Sequence, residues 1–178
     1  MRYKLFFQKS YSLLVLLLCL AGCTSEWTRY VNKEHKLSIL LPASWEKEEG
    51  AFKTVIIALA PLDTTKPKLS RVRTNINVIA SELPTPVDVS TLFELNKTEL
   101  GTKLARMDEF LEGDIYAGTL RGKWLSFEGL LREARVKIIS GIWVKDRRVY
   151  SVTCTARTDE FAKYDPLFQK VLRSLRVK

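Results

Sequence analysis

Apolar and polar residues alternate along much of this chain with a period of two, and this pattern predicts β-strands. The alternation is clearest in residues 71–83, where Ile76 and Val78 share one face while Asn75 and Asn77 share the other. Similar runs predict further strands over residues 30–31, 37–40, 55–59, 136–144 and 149–156, and either two strands or one bent strand over residues 115–130. The pattern therefore indicates a domain built mainly from strands.

Two segments follow helical spacing instead. Asp88 is a typical helix cap, and apolar residues recur at helical spacing from there to residue 104. Residues 161–175 carry a second apolar stripe, within which Asp165-Pro166 predicts that a helix starts afresh. The polar residues between strands predict an acidic loop at 46–50 and a turn at 112–114.

The first 22 residues differ in composition from the rest of the chain. They contain three cations and no acid, and they end in the apolar run Leu13–Leu20 and small residues. A helix needs about 20 apolar residues to cross a bilayer, whereas this order of basic, apolar and small residues is typical of a cleaved secretory signal. We therefore predict a signal peptide at residues 1–22, a tether at 23–29 and a single domain at 30–178.

The end of the signal, Leu20-Ala21-Gly22-Cys23, resembles the lipobox of bacterial lipoproteins. The resemblance implies that the Cys23 thiol accepts a diacylglyceryl group and that its freed amine is acylated, which gives the two or three chains that stable anchoring requires. The alternative is an ordinary signal peptide that ends beside an incidental cysteine. Thr24 rather than Asp follows Cys23, which in Gram-negative lipoproteins favours the outer membrane. The expected location is the cell envelope, with the membrane contacted through the N-terminal lipid.

Three later segments resemble PsbP-like domains. They are the strand followed by Pro-x-x-Trp at 37–45, the Asn-x-Asn strand at 73–78, and the closing strand and helix from residue 149 onward. The chain differs from that family at His35-Lys36, where Gly-Phe is usual. It also resembles DcrB-like bacterial lipoproteins. The resemblance implies an α+β fold in which a central antiparallel β-sheet is flanked by helices, an α-β-α sandwich. It also implies a role in binding protein partners.

Composition fits one globular domain and excludes disordered and collagen-like chains, since 46% of the 178 residues are apolar and 28% are charged. The formal net charge is +9, and many of the cations fall on one predicted hairpin, with Arg173, Arg176 and Lys178 following at the C-terminus. Trp143 is opposite in phase to its apolar neighbours, which predicts an aromatic on the exposed face of that hairpin. The candidate partner surface comprises Arg132, Arg135, Lys137, Trp143, Lys145, Arg147 and Arg148. These cations contact an anionic partner, or else they only discourage sheet edges from pairing.

Residues suited to catalysis are scarce. His35 is the only histidine, and it lies in a predicted polar turn without an identifiable carboxylate partner. Cys154 is the only thiol that remains once the signal is removed and Cys23 is modified, and strand alternation assigns it to the core. One histidine and one cysteine do not make a transition-metal site or a catalytic triad. We therefore expect no enzyme activity, no metal and no cofactor.

Two functions remain open on the sequence. The first is a non-enzymatic envelope lipoprotein that binds, or helps to assemble, a protein partner. The second is an envelope lipoprotein that binds an apolar ligand or lipid in a cleft between sheet and helix. Nucleic acid is not an expected partner of an exported, membrane-tethered domain.

Overall fold

The computed structural model describes residues 26–65, 72–103, 108–131 and 134–178. The predicted signal peptide, the lipobox with Cys23, and Arg132 lie outside these residues. No helix in the described ranges combines the length and apolarity needed to cross a bilayer. The elements in chain order are β1 Trp27–Asn32, β2 Leu37–Pro42, β3 Glu46–Glu49, β4 Ile56–Leu59, β5 Asn75–Glu82, α1 Val89–Lys103, β6 Asp108–Ala117, β7 Leu120–Leu131, β8 Ala134–Lys145, β9 Arg148–Arg157, α2 Thr158–Ser174 and β10 Arg176–Val177.

Seven strands form one antiparallel sheet in the order β3-β4-β5-β9-β8-β7-β6, and β1, β2 and β10 form a small second sheet. The helices cover opposite faces of the large sheet. Trp143 belongs to the core beneath α2 and Ile142 belongs to the cluster beneath α1, and consecutive residues of a strand point to opposite faces. The predicted α+β class, a central antiparallel sheet flanked by helices, is confirmed.

The larger core lies between α2, the small sheet and one face of β5, β8 and β9. The apolar stripe predicted for the C-terminal segment faces this core, with Phe168 and Leu172 fully buried. Ser174 fixes the end of α2 against the small sheet, because its hydroxyl accepts a hydrogen bond from the Leu40 amide at 2.8 Å. Asp88 caps α1 as predicted, since its carboxylate accepts a hydrogen bond from the Ser90 amide at 2.8 Å.

Trp143 is buried, and its predicted place on an exposed hairpin face is wrong. The side chain is 0% exposed, and it points to the α2 side of the sheet. Gly122 lies opposite Trp143 on β7, and Gly141 lies two residues before it on β8. The indole rests against both glycines, because an added Cβ at either position would collide with the ring. The two glycines thus make room for the indole on the face that α2 covers.

Two predicted loops are strands in the structure. Residues 46–50 were expected to be an acidic loop, but Glu46–Glu49 form β3, which pairs with β4 at the edge of the large sheet. Charged residues suit such an edge because they disfavour pairing with another chain. The turn expected at 112–114 lies inside β6. Asp114 faces solvent there, and its carboxylate lies 2.7 Å from the Lys123 ammonium on β7.

Two element boundaries also differ from expectation. β1 begins at Trp27, inside the predicted tether, because each residue from Trp27 to Asn32 pairs with one from Leu37 to Pro42. α2 does not restart at Pro166 but continues through it. An interior proline removes a backbone hydrogen bond and its ring crowds the preceding turn. The buried apolar side chains on both sides of Pro166, such as Phe161 and Phe168, offset that cost.

Candidate functional site: a cationic pole

Three separate segments meet at one end of the molecule: the β1–β2 turn, the β8–β9 turn and the C-terminal strand. β10 pairs with the start of β2, and the Lys178 amide donates a hydrogen bond to the Lys36 carbonyl at 2.9 Å. The Arg148 guanidinium donates a hydrogen bond to the Glu34 carbonyl at 3.2 Å. These contacts hold the three segments against one another.

This end of the molecule is rich in cations, and we call it the cationic pole. Its basic residues are Lys33, Lys36, Lys145, Arg147, Arg148, Arg176 and Lys178. The acids beside them are fewer, namely Glu34, Glu82 and Asp146. Positive charge therefore predominates, and a cluster of one sign raises the local concentration of anionic partners.

Most cations of the pole are not neutralised by carboxylates. Among the described residues, Arg148 alone of this set forms an ion pair, with 2.8 Å between its Nη2 and Glu82 Oε1. That hydrogen bond raises the pKa of Arg148. Arg147 instead donates to the backbone carbonyls of Leu83 at 3.3 Å and Pro84 at 2.8 Å. A carbonyl oxygen fixes the position of a guanidinium without cancelling its charge, so the pole keeps a net positive potential.

The backbone of the pole adopts left-handed conformations at residues other than glycine. Lys36 has φ 53°, Asp146 has φ 49° and Arg147 has φ 60°, a region that costs such residues about 1–2 kcal/mol each. Asp146 and Arg147 form the two-residue turn between β8 and β9, where Asn-Gly is the favoured pair. An arginine at a position that favours glycine points to a role for its side chain.

The structure divides the predicted partner surface between two ends of the molecule. Arg135 lies at the start of β8, ten residues along the strand from Lys145, and this separation corresponds to about 33 Å at the rise of a strand. Its guanidinium lies 3.6 Å from Glu128. Lys137 lies on the α2 side of the sheet, with its ammonium 5.6 Å from the centre of the Phe161 ring. The cations predicted along this hairpin therefore do not form one cluster, and of them only Lys145, Arg147 and Arg148 belong to the pole.

Sequence reasoning missed Lys33 and Lys36 as members of this surface. They are more than 100 residues from the β8–β9 turn in the chain, and the pairing that brings them there involves only two residues of β10. The only hint in the sequence is the run of cations at the C-terminus, because nothing in it shows which other segment lies beside that run.

Residues with chemical reactivity do not form a site in the described part of the chain. Cys154 is 0% exposed between α2 and the sheet, and burial raises the pKa of its thiol far above the usual range, which removes the nucleophilic thiolate. His35 is half-buried, and its carbonyl accepts a hydrogen bond from the Tyr150 hydroxyl at 3.1 Å. Groups of His, Cys, Asp and Glu able to hold a metal are absent from the described residues.

No family model and no curated protein matches the sequence of this chain. Solved structures do match its fold, at low sequence identity. The solution structure of cyanobacterial PsbP from Synechocystis sp. PCC 6803 is 16% identical, covers 90% of this chain and 99% of its own, and has a TM-score of 0.62. LpqN of Mycobacterium tuberculosis, described as involved in cell envelope biogenesis, is 12% identical with a TM-score of 0.63, covering 85% of this chain and 90% of its own. At such identities the likeness concerns the fold, and the chain has the α+β fold of PsbP-like proteins.

Proposed function

We propose that this chain is a lipid-anchored lipoprotein of the cell envelope whose domain binds a protein partner without catalysing a reaction. The observation that carries the proposal is the cationic pole, a set of cations from three segments of which most lack a carboxylate partner. Its chemistry fits a partner with an acidic surface. Complementary charge of this kind accelerates encounter and fixes the orientation of the bound partner.

The anchor is the second element of the proposal. The lipobox that ends at Cys23 supports acylation, and one structural neighbour, LpqN, is described as involved in cell envelope biogenesis. A tethered domain meets partners in the same membrane at a raised effective concentration, so weak electrostatic contacts are sufficient for binding.

Packing between α2 and the sheet favours partner binding over the alternative function, a cleft for an apolar ligand. The side chains of Cys154, Phe168 and Leu172 fill that space and are fully buried. Two grooves of the described surface, one beside Trp27 and one beside Arg73, are open to solvent. An apolar ligand would have to displace core side chains to enter between helix and sheet.

Reversal of charge at the pole tests the proposed binding surface. Envelopes containing the acylated chain are crosslinked, and captured proteins are identified with wild type, with Lys36→Glu/Lys178→Glu, and with the control Lys163→Glu/Lys170→Glu. The control changes net charge equally at exposed lysines away from the pole. We expect the pole variant to lose captured partners about tenfold and the control to retain them, with wild-type capture weakening as salt screens the charges. Equal capture by both variants would refute the role of the pole.

Mass measurement tests the anchor separately. The wild-type chain should begin at Cys23 and carry added diacylglyceryl and acyl groups. Cys23→Ser should abolish lipid tethering and leave the precursor unprocessed or wrongly cut. A mature chain that begins at Cys23 without added lipid would refute the anchor. The binding surface is tested separately, by the charge-reversal variants.

A further inference from the structure

The end of the molecule opposite the cationic pole is where the domain begins. We call it the N-terminal pole, and it comprises the start of β1, the Pro42–Trp45 turn, residues 60–65 after β4, the end of β7 and the start of β8. β2 runs from the cationic pole to this end, and Trp27 at the start of β1 pairs with Pro42 at the end of β2. Glu26, the first described residue, is therefore at the N-terminal pole.

Large apolar side chains are exposed at this pole. Leu130 is 59% exposed and Leu131 is 46% exposed at the end of β7, and Leu62 in the loop after β4 is 49% exposed. Leu62 and Trp45 line the same open groove beside α2. Exposed leucines are ordinary on a protein surface, but these three lie at the end of the domain where the chain leads to the proposed anchor.

Aromatic and basic side chains surround these leucines. A groove of about 610 Å³ opens between Trp27, Trp45 and Leu167, and the Lys170 ammonium lies 4.1 Å from the centre of the Trp27 ring. Tryptophan and lysine side chains of this kind are favoured at membrane–water interfaces, because each has an apolar body and a polar end.

The proposed lipid attachment restricts where this pole can lie. Cys23 precedes Glu26 by three residues, and three residues of extended chain span at most about 11 Å. An acyl group inserted in a bilayer at Cys23 therefore keeps the start of β1 within that distance of the lipid headgroups.

We propose that the N-terminal pole docks on the bilayer that holds the lipid anchor, with Leu62, Leu130 and Leu131 inserted at the boundary between headgroups and acyl chains. This inference rests on the proposed acylation of Cys23. The pole carries acidic residues such as Glu26 and Asp63 as well as Lys163 and Lys170, so its attraction to the bilayer is apolar rather than electrostatic. Docking should therefore be the same on neutral and anionic bilayers.

Docking in this orientation directs the cationic pole away from the membrane. The twelve residues of β8 run between the two ends of the sheet, a length of about 40 Å at the rise of a strand. That length is several times the Debye length of about 8 Å at physiological salt. Anionic lipids of the anchoring leaflet are thus too far away to occupy the cationic pole, which favours an acidic protein as its partner.

Fluorescence quenching in vesicles tests the docking. The acylated full chain carries an environment-sensitive label at Leu62→Cys, or at Lys178→Cys as the distal control, and is reconstituted into phosphatidylethanolamine/phosphatidylcholine vesicles containing brominated lipid. Buried Cys154 remains unlabelled in the native protein. We expect the label at Leu62→Cys to be quenched at least about fivefold more than the label at Lys178→Cys, because an interfacial surface enters the bilayer by about 5–10 Å, and phosphatidylglycerol should not change this.

A second variant assigns the contact to the leucines. Leu130→Ser/Leu131→Ser should reduce quenching of the label at residue 62 severalfold, whereas the control Leu95→Ser/Leu111→Ser, which changes two leucines exposed elsewhere, should not. Equal quenching at Leu62→Cys and Lys178→Cys in a chain whose mass confirms acylation would overturn the docking but not the anchor. A chain without added lipid would instead refute the proposed anchor on which the docking rests.

Discussion

Substitution of Gly122 by alanine tests whether Trp143 belongs to the core or to a partner surface. Gly122 faces Trp143 across β7 and β8. A Cβ added at Gly122 would collide with the Ile142 carbonyl and the indole ring and would lie 2.6 Å from Nε1 of Trp143. One of these contacts is with backbone, so a change of side-chain rotamer cannot relieve all of them.

The size of the effect follows from comparison with Gly129 on the same strand. An added Cβ at Gly129 meets no atom within 4 Å. Gly129→Ala should therefore be neutral, or should stabilise the fold by up to about 1 kcal/mol because alanine lowers the conformational entropy of the unfolded chain. Overpacking a filled core usually costs about 1–3 kcal/mol, and the backbone collision places Gly122→Ala at the upper end. For a domain of this size, a loss of about 3 kcal/mol lowers the melting temperature by roughly 6–12 °C.

Urea denaturation followed by tryptophan fluorescence, together with thermal melting followed by circular dichroism, measures both variants. Trp143→Leu removes the contacts of the added Cβ with the indole but not its contact with the backbone. The loss of unfolding free energy in the double mutant should therefore be smaller than the sum of the losses in the two single mutants. Unfolding free energies of Gly122→Ala and Gly129→Ala that agree within about 0.5 kcal/mol would refute the burial of Trp143 against this strand.

Three further measurements test other parts of the structure. A thiol reagent should label Cys154 slowly in native protein and rapidly in urea, because the native side chain is fully buried; rapid native labelling would contradict its place in the core. Arg147→Glu should weaken partner capture while Arg135→Glu, at the other end of β8, should not. Each reversal removes an exposed hydrogen bond or ion pair, so both variants should unfold within about 1 kcal/mol of wild type; equal effects on capture would contradict the separation of the two residues. Hydrogen bonds from backbone amides of the first turn of α1 lower the pKa of Asp88 from its usual value. This carboxylate therefore stabilises the fold above its unfolded pKa and loses that contribution as pH falls through the lower native value. The urea midpoints of wild type and Asp88→Ala should therefore differ more at pH 7 than at pH 2–3, and a constant difference would contradict the cap.

Local patterns in the sequence were sufficient for most of the fold. The alternation around Ile76 and along the β8–β9 hairpin predicted strands correctly, because successive side chains there point alternately to the two faces of the sheet. Prediction failed where tertiary contacts override local preference. Glu46–Glu49 have low β-propensity but pair with β4 at an edge that tolerates charge, and Pro166 is kept within α2 by the buried side chains around it.

Trp143 illustrates a different limit of sequence reasoning. Its phase relative to Ile142 was assigned correctly, since the two residues do point to opposite faces. The error was to assume that only one face of β8 is buried, whereas α1 covers the face of Ile142 and α2 covers the face of Trp143. The glycines at 122 and 141 were a usable signal, because small residues opposite and two positions along from a large ring make room for it.

The cationic pole could not have been predicted from the sequence as a unit. Arg147 and Arg148 are neighbours in the chain, but Lys36 reaches them only because β10 returns to pair with β2 after α2 has crossed the sheet. Clustering along the chain led instead to Arg135, which the length of β8 carries to the opposite end. The same strand length that separates these cations also separates the proposed membrane contact from the proposed partner contact. In the proposed arrangement, a domain that docks at one end and binds at the other presents its cations beyond the reach of the lipid headgroups that surround its anchor.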